Sequence, residues 1–117
     1  MKRKIKVYLI AIVTILSRQS FGQVVDNKIF VNPNTGIDSN KGTKENPIKS
    51  LSEAAKRVSS AEGEGAISVF LAAGVYGISE TADFNTKKWK FTKANRLTIR
   101  AEVLPDDVNW TPAEMPI

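Results

Sequence analysis

Apolar positions along the chain fall into three kinds of run. The first is unbroken: Val7 to Leu16 (VYLIAIVTIL) is a stretch of ten. The second alternates with polar residues. Lys28-Ile29-Phe30-Val31-Asn32 is short, rich in β-forming residues and stopped by Pro33. Ala66 to Ala72 places Ile67, Val69 and Leu71 on one face and Phe70 on the other. Arg96 to Glu102 alternates Leu97, Ile99 and Ala101 with Thr98 and Arg100. This period of two predicts three strands, with Ile78 to Phe84 as a fourth, less regular one. Phe70, opposite an apolar face, predicts burial of the second strand on both sides.

The third kind of run has helical spacing. Leu51, Ala54, Ala55 and Val58 stand at i, i+3, i+4 and i+7, which predicts a helix with one narrow stripe of small residues over residues 50–60. Ser50 is placed as N-cap and Glu53 completes a capping box. Lys56 and Arg57 fall on the opposite, solvent side near the C-terminal end, where the dipole favours cations. Gly63 and Gly65 end the segment. Asn32 to Thr43 (NPNTGIDSNKGT), extended by Asn46-Pro47, is dense in turn formers and reads as a long loop. Ala73-Gly74-Val75-Tyr76-Gly77 reads as a turn in which Tyr76 packs. Residues 110–117 carry Pro112 and Pro116 and no periodicity. One helix among four strands excludes a repeating βαβ sheet.

The unbroken run changes meaning once charge is considered. The chain has 117 residues and a formal net charge of +5. Lys2, Arg3, Lys4, Lys6 and Arg18 all precede Gln23, and no acidic residue does. From Gln23 onward 12 basic residues balance 12 acidic ones. The first 22 residues therefore read as a secretory signal peptide: a basic n-region, the apolar run, and Ser20 and Gly22 as small residues before a cut that precedes Gln23. A membrane span needs about 20 apolar residues, so no stable membrane anchor is expected after cleavage; the alternative is an uncleaved signal anchor. The expected location is secreted, periplasmic or at the cell surface, and the compact basic signal looks bacterial. Residues 23–117 would form the mature chain. Export and a neutral mature chain argue against a nucleic-acid partner.

Composition narrows the chemistry. The chain has no Cys and no His, which removes Cys/His zinc sites, Ser-His-Asp and Cys-His catalysis, thiol redox chemistry and disulfides. A content of 42% hydrophobic and 25% charged residues belongs to a folding chain. Gly63-x-Gly65 precedes a strand and does not open a helix, so it is no dinucleotide-binding turn. From Asp38, the sixth and twelfth positions hold Thr43 and Lys49 where a calcium loop of the EF-hand type needs Gly and Glu; Asp38 and Asn40 are expected to bond the loop's own backbone. Asp106-Asp107 after Pro105 reads as a turn. Asn109-Trp110-Thr111 matches a glycosylation sequon. No catalytic, cofactor-binding or metal-ligating residue is assigned. Lys87, Lys88, Lys90, Lys93, Arg96 and Arg100 form a basic stretch with Trp89 and Phe91 interleaved, the make-up of a subsite for acidic sugars. Lys88, Trp89, Lys90 and Phe91 are the candidate glycan contacts, and an amphipathic strand explains the same alternation.

A set of ordered motifs resembles a known family. Phe30-Val31-Asn32 comes first, followed by Gly36-Ile37-Asp38-Ser39-Asn40-Lys41-Gly42-Thr43. Asn46-Pro47-Ile48-Lys49-Ser50-Leu51, Ala54-Ala55, and Val69-Phe70-Leu71-Ala72-Ala73-Gly74-Val75-Tyr76 complete the set. In this order they resemble the opening of secreted right-handed parallel β-helix proteins, the pectate-lyase-like (pectin-lyase-fold) superfamily. The resemblance implies a mainly β fold: the first coils of a solenoid, capped by the helix at residues 50–60. It implies an incomplete domain, because such proteins run to several hundred residues with the working groove on their middle coils. It also implies a polysaccharide partner and, for a full-length lyase, calcium. Two functions follow as expectations: part of an exported polysaccharide lyase or glycoside hydrolase, or a non-enzymatic surface protein acting as adhesin, glycan binder or scaffold. The matched motifs are structural, so they carry no catalytic residue.

Overall fold

A computed structural model describes residues 27–117. The expected signal segment and its cut before Gln23 lie outside the described residues. In chain order the elements are β1 (Lys28–Val31), α1 (Leu51–Ser60), β2 (Glu62–Glu64), β3 (Ile67–Leu71), β4 (Lys88–Lys90) and β5 (Leu97–Ala101). A single 3₁₀ turn covers Pro112–Glu114.

β1, β3 and β5 make a three-stranded parallel sheet in that order. Val69 stands between Ile29 and Ile99, and Phe70 between Phe30 and Arg100. β2 and β4 make a separate two-stranded parallel sheet. The alternation read in the sequence becomes two faces. Ile29, Val31, Ile67 and Val69 point inward with Ile48, Ala54 and Val58, and all are buried. Phe30, Phe70 and Arg100 point outward.

α1 begins where expected. Ser50 is extended, and its hydroxyl accepts a hydrogen bond from the Glu53 N–H at 3.1 Å. The small Ala54, Ala55 and Val58 are buried, and the helix packs against β1 and β4. Leu51, at the first turn, is only half-buried.

The loop from Asn32 to Ser50 returns to cover one edge of the larger sheet. Phe30 N–H donates to the Gly42 carbonyl at 2.8 Å, Ile48 N–H to the Phe30 carbonyl at 3.0 Å, and Asn32 N–H to the Ile48 carbonyl at 2.8 Å. Gly36 permits this approach: a Cβ there would sit 2.1 Å from the Ile48 carbonyl oxygen. Ile48 is thereby carried fully into the core.

These features correct the expected architecture. The described residues form a small α/β unit of two short parallel sheets and one helix, not the first coils of a parallel β-helix, and the fold is not mainly β. A solenoid repeats one supersecondary unit along its axis. Here the smaller sheet has strands of three residues, and Ile78 to Phe84 forms no strand. Residues 32–50 fold into a hydrogen-bonded loop of their own rather than a repeat. α1 packs on the inner side of the sheet and joins the core. Phe70 also departs from expectation, since its outer face is half-exposed and not covered by a second layer.

Candidate functional site

Two regions that looked chemically promising in the sequence are used for architecture. The first is Asp38-Ser39-Asn40-Lys41-Gly42. One Asp38 carboxylate oxygen accepts from the Lys49 N–H at 2.9 Å and the Ser50 N–H at 2.7 Å; the other accepts from the Ser50 hydroxyl at 2.8 Å. The carboxylate thus sits at the N-terminus of α1, satisfying donors left free by the helix start. Burial alone would raise its pKa. The Ser50 N–H, Ser50 hydroxyl and Lys49 N–H, with the Arg57 charge, outweigh burial and hold the group below its ordinary value of 3.8. The Asn40 amide donates to the Pro47 carbonyl at 3.0 Å.

Arg57 ties this loop to the helix. It is 4% exposed, although the helical spacing places it on the solvent side. Its Nε donates to Glu53 at 2.8 Å, and one terminal nitrogen donates to the Asp38 and Asn40 carbonyls at 2.8 and 2.7 Å. The capping box is therefore only half formed. Glu53 gives its carboxylate to Arg57, and Ser50 N–H turns to Asp38. The sequence signal for Arg57 was present: Glu53 lies four residues before it, the spacing of a helical ion pair.

The second region is Lys88 to Phe91. Trp89 and Phe91 pack against the core cluster. The Trp89 indole N–H donates to the Gly65 carbonyl at 2.8 Å. Its ring lies over Gly63, where a Cβ would come within 3.0 Å of the ring; Gly63 also has φ +142°, a conformation that suits glycine. Lys88 and Lys90 point outward, and Lys88 pairs with Glu62 across the β2–β4 sheet. The four glycan-contact candidates therefore divide between core and solvent, and the rings do not form an exposed platform. Tyr76 is a tether: its hydroxyl donates to the Ala72 and Val31 carbonyls at 2.8 and 3.1 Å. Burial and the nearby Glu102 charge push its pKa up to about 12, so it stays a neutral donor.

The outer face of the larger sheet carries a different arrangement, whose members are far apart in the chain. Phe30 and Phe70 stack at 4.8 Å between ring centroids with planes 14° apart. The Arg100 guanidinium lies 4.9 Å from the Phe70 ring centre on the next strand. Parallel register brings the three together as one row. Beyond Arg100 is an open hollow of about 260 Å³, lined by Arg100, Glu102, Leu104, Asp106 and Asp107. Three of its residues make contacts outside it. Arg100 rests on Phe70. The Glu102 N–H donates to the Leu71 carbonyl at 2.8 Å, and its carboxylate lies 3.4 Å from Lys44. Asp107 accepts from the Asn109 N–H at 3.0 Å, in the turn the sequence indicates. A planar cation with several donors thus stands among acceptors that differ in position but share one opening.

A larger groove, of about 340 Å³, runs between α1 and residues 80–87. Ser59, Glu80, Asp83 and Lys87 are among its lining residues, and the Ser59 hydroxyl is already used on the Asp83 carbonyl. Among the described residues no group of three or more carboxylates is placed to hold a metal ion. Among them, too, no helix is long and apolar enough to cross a membrane. Compared with known protein families, with curated proteins and with solved structures, the chain matches none.

Proposed function

We propose that this chain is an exported glycan-binding protein, or the glycan-binding part of one, and that it holds its ligand at the Arg100 hollow. The observation that carries the reading is the guanidinium of Arg100, which lies over the Phe70 ring and lines one hollow together with Glu102, Asp106 and Asp107. Sugars present neighbouring hydroxyls, each both donor and acceptor. A site that sets a rigid donor fork beside carboxylate acceptors can satisfy several at once. Such a site favours a neutral, hydroxyl-rich polysaccharide over an acidic one, because three carboxylates share the hollow with one guanidinium and only Glu102 has a further cation, Lys44, beside it. Export is supported by the basic n-region and apolar run before Gln23.

Binding without cleavage is the reading that fits these side chains best. Glycoside hydrolysis uses two carboxyl groups on opposite sides of the scissile bond, one of them kept protonated by its surroundings. The carboxylates here share one open rim with Arg100. Asp106 and Asp107 are adjacent, exposed residues of one turn and do not flank a cleft from two sides.

Calorimetric titration with neutral and acidic oligosaccharides tests the proposal. Neutral sugars are expected to bind, and Arg100→Ala to weaken binding at least about tenfold while leaving the fold intact. Absence of binding to any glycan, or binding indifferent to Arg100, would overturn it. New reducing or unsaturated ends in the product mixture would show that the protein is an enzyme and not only a binder.

A further inference from the structure

The two edges of the larger sheet are unlike. The β1 edge is covered by residues 42–48, which bond Phe30 and Asn32 directly. Among the described residues no strand pairs with the outer edge of β5. In a parallel ladder alternate residues bond to the same neighbour. The Arg96 carbonyl accepts from Ile67, and the Glu102 N–H donates to Leu71. The even-numbered residues of β5 therefore turn to β3, and Leu97, Ile99 and Ala101 turn their N–H and C=O groups to the open edge. Ile99 is also the inward residue least covered. Its row-mates Ile29 and Val69 are 1% and 0% exposed, while Ile99 is 43% exposed. An open edge joined to an uncovered apolar side chain invites another strand.

We propose that β5 pairs with β5 of a second copy, antiparallel and centred on Ile99, to give a two-fold symmetric dimer with one continuous sheet. Charge complementarity selects the occupant and the register, with Arg96, whose Nε donates to the Lys93 carbonyl, and Glu102, beside Lys44, at the two ends of the strand. When Ile99 faces its own copy, Leu97 lies opposite Ala101 and Thr98 opposite Arg100. Arg96 then lies opposite Glu102, once on each side of the axis. Opposite charges directly across antiparallel strands favour pairing, and like charges oppose it. A shift of one residue, which sets Thr98 against Ile99, points paired side chains to opposite faces and breaks the arrangement. In the centred register each of Leu97, Ile99 and Ala101 exchanges N–H and C=O bonds with the partner, and the two Ile99 side chains cover one another.

Sedimentation equilibrium of the full chain, expressed with residues 1–22 and recovered in the form the cell releases, tests this. A reversible dimer is expected. Arg96→Glu and Glu102→Arg should each weaken it about tenfold or more, because each places two like-charge pairs across the axis. The double reversal should restore the dimer to near its original strength. A cross-linking test is independent of those charges. The chain has no cysteine, and Ile99 alone lies opposite itself, so Ile99→Cys should form a disulfide dimer under mild oxidation far faster than Val108→Cys, which is 97% exposed. A monomer at all concentrations, a larger oligomer, a dimer whose strength is unaltered by the single reversals, or equal cross-linking at positions 99 and 108 would each overturn the proposal.

Discussion

Arg57 shows how far one side chain can depart from its helical address. The period places it on the solvent face of α1, yet it is buried and holds the loop that carries Asp38 and Asn40. Nothing in the spacing of apolar residues announces this, because the partners are backbone carbonyls of a loop whose path depends on the whole fold. Arg57→Ala is expected to cost about 3 kcal/mol, since it leaves two carbonyls without a donor and Glu53 with only the longer, exposed pair to Lys56; denaturant unfolding would measure it. Asp38 gives a pH signature. Its folded pKa lies below the ordinary value of 3.8, so its contribution is complete above that value and is lost as pH falls through the lower, folded one. Acid unfolding below about pH 4 should therefore weaken in Asp38→Asn, whose stability at neutral pH is lower from the start. A variant with unchanged acid dependence would contradict the role given to this carboxylate.

At the scale of elements, alternation identified β1, β3 and β5 within about a residue at each end, because one face of each meets a core. β2 was hidden: Glu-Gly-Glu has no apolar residue, and it becomes a strand only by pairing with β4. Ile78 to Phe84 failed for the opposite reason, having apolar residues but no neighbour to pair with. The Arg100 hollow was not legible, since Phe30, Phe70 and Arg100 meet only through parallel register. The Lys88–Phe91 pattern was legible, but its rings are drawn to Gly63, Gly65 and the core. Burial predicts an uneven response along one row. Val69→Ala should cost about 2 kcal/mol or more, and Ile99→Ala less than about 1 kcal/mol at concentrations where the chain is monomeric. Ser50→Ala should cost about 1 kcal/mol through the lost helix cap. Equal losses at positions 69 and 99 would contradict the exposure gradient.

Across the whole molecule, site and edge belong to the same sheet. Pairing at β5 would extend that sheet across the axis and set two Arg100 hollows on one outer face, so a long polysaccharide could engage both and gain avidity. Export should give a mature product that begins at Gln23, which mass spectrometry of the released protein would read. The central claim remains the Arg100 hollow, and chemical-shift mapping during titration with a neutral oligosaccharide tests it most directly. Arg100, Glu102, Asp106 and Asp107 should move together and saturate at one affinity, while the Trp89 indole N–H, bonded to Gly65, stays still. Shifts centred on Lys88 to Phe91, or no saturable shifts at all, would contradict it.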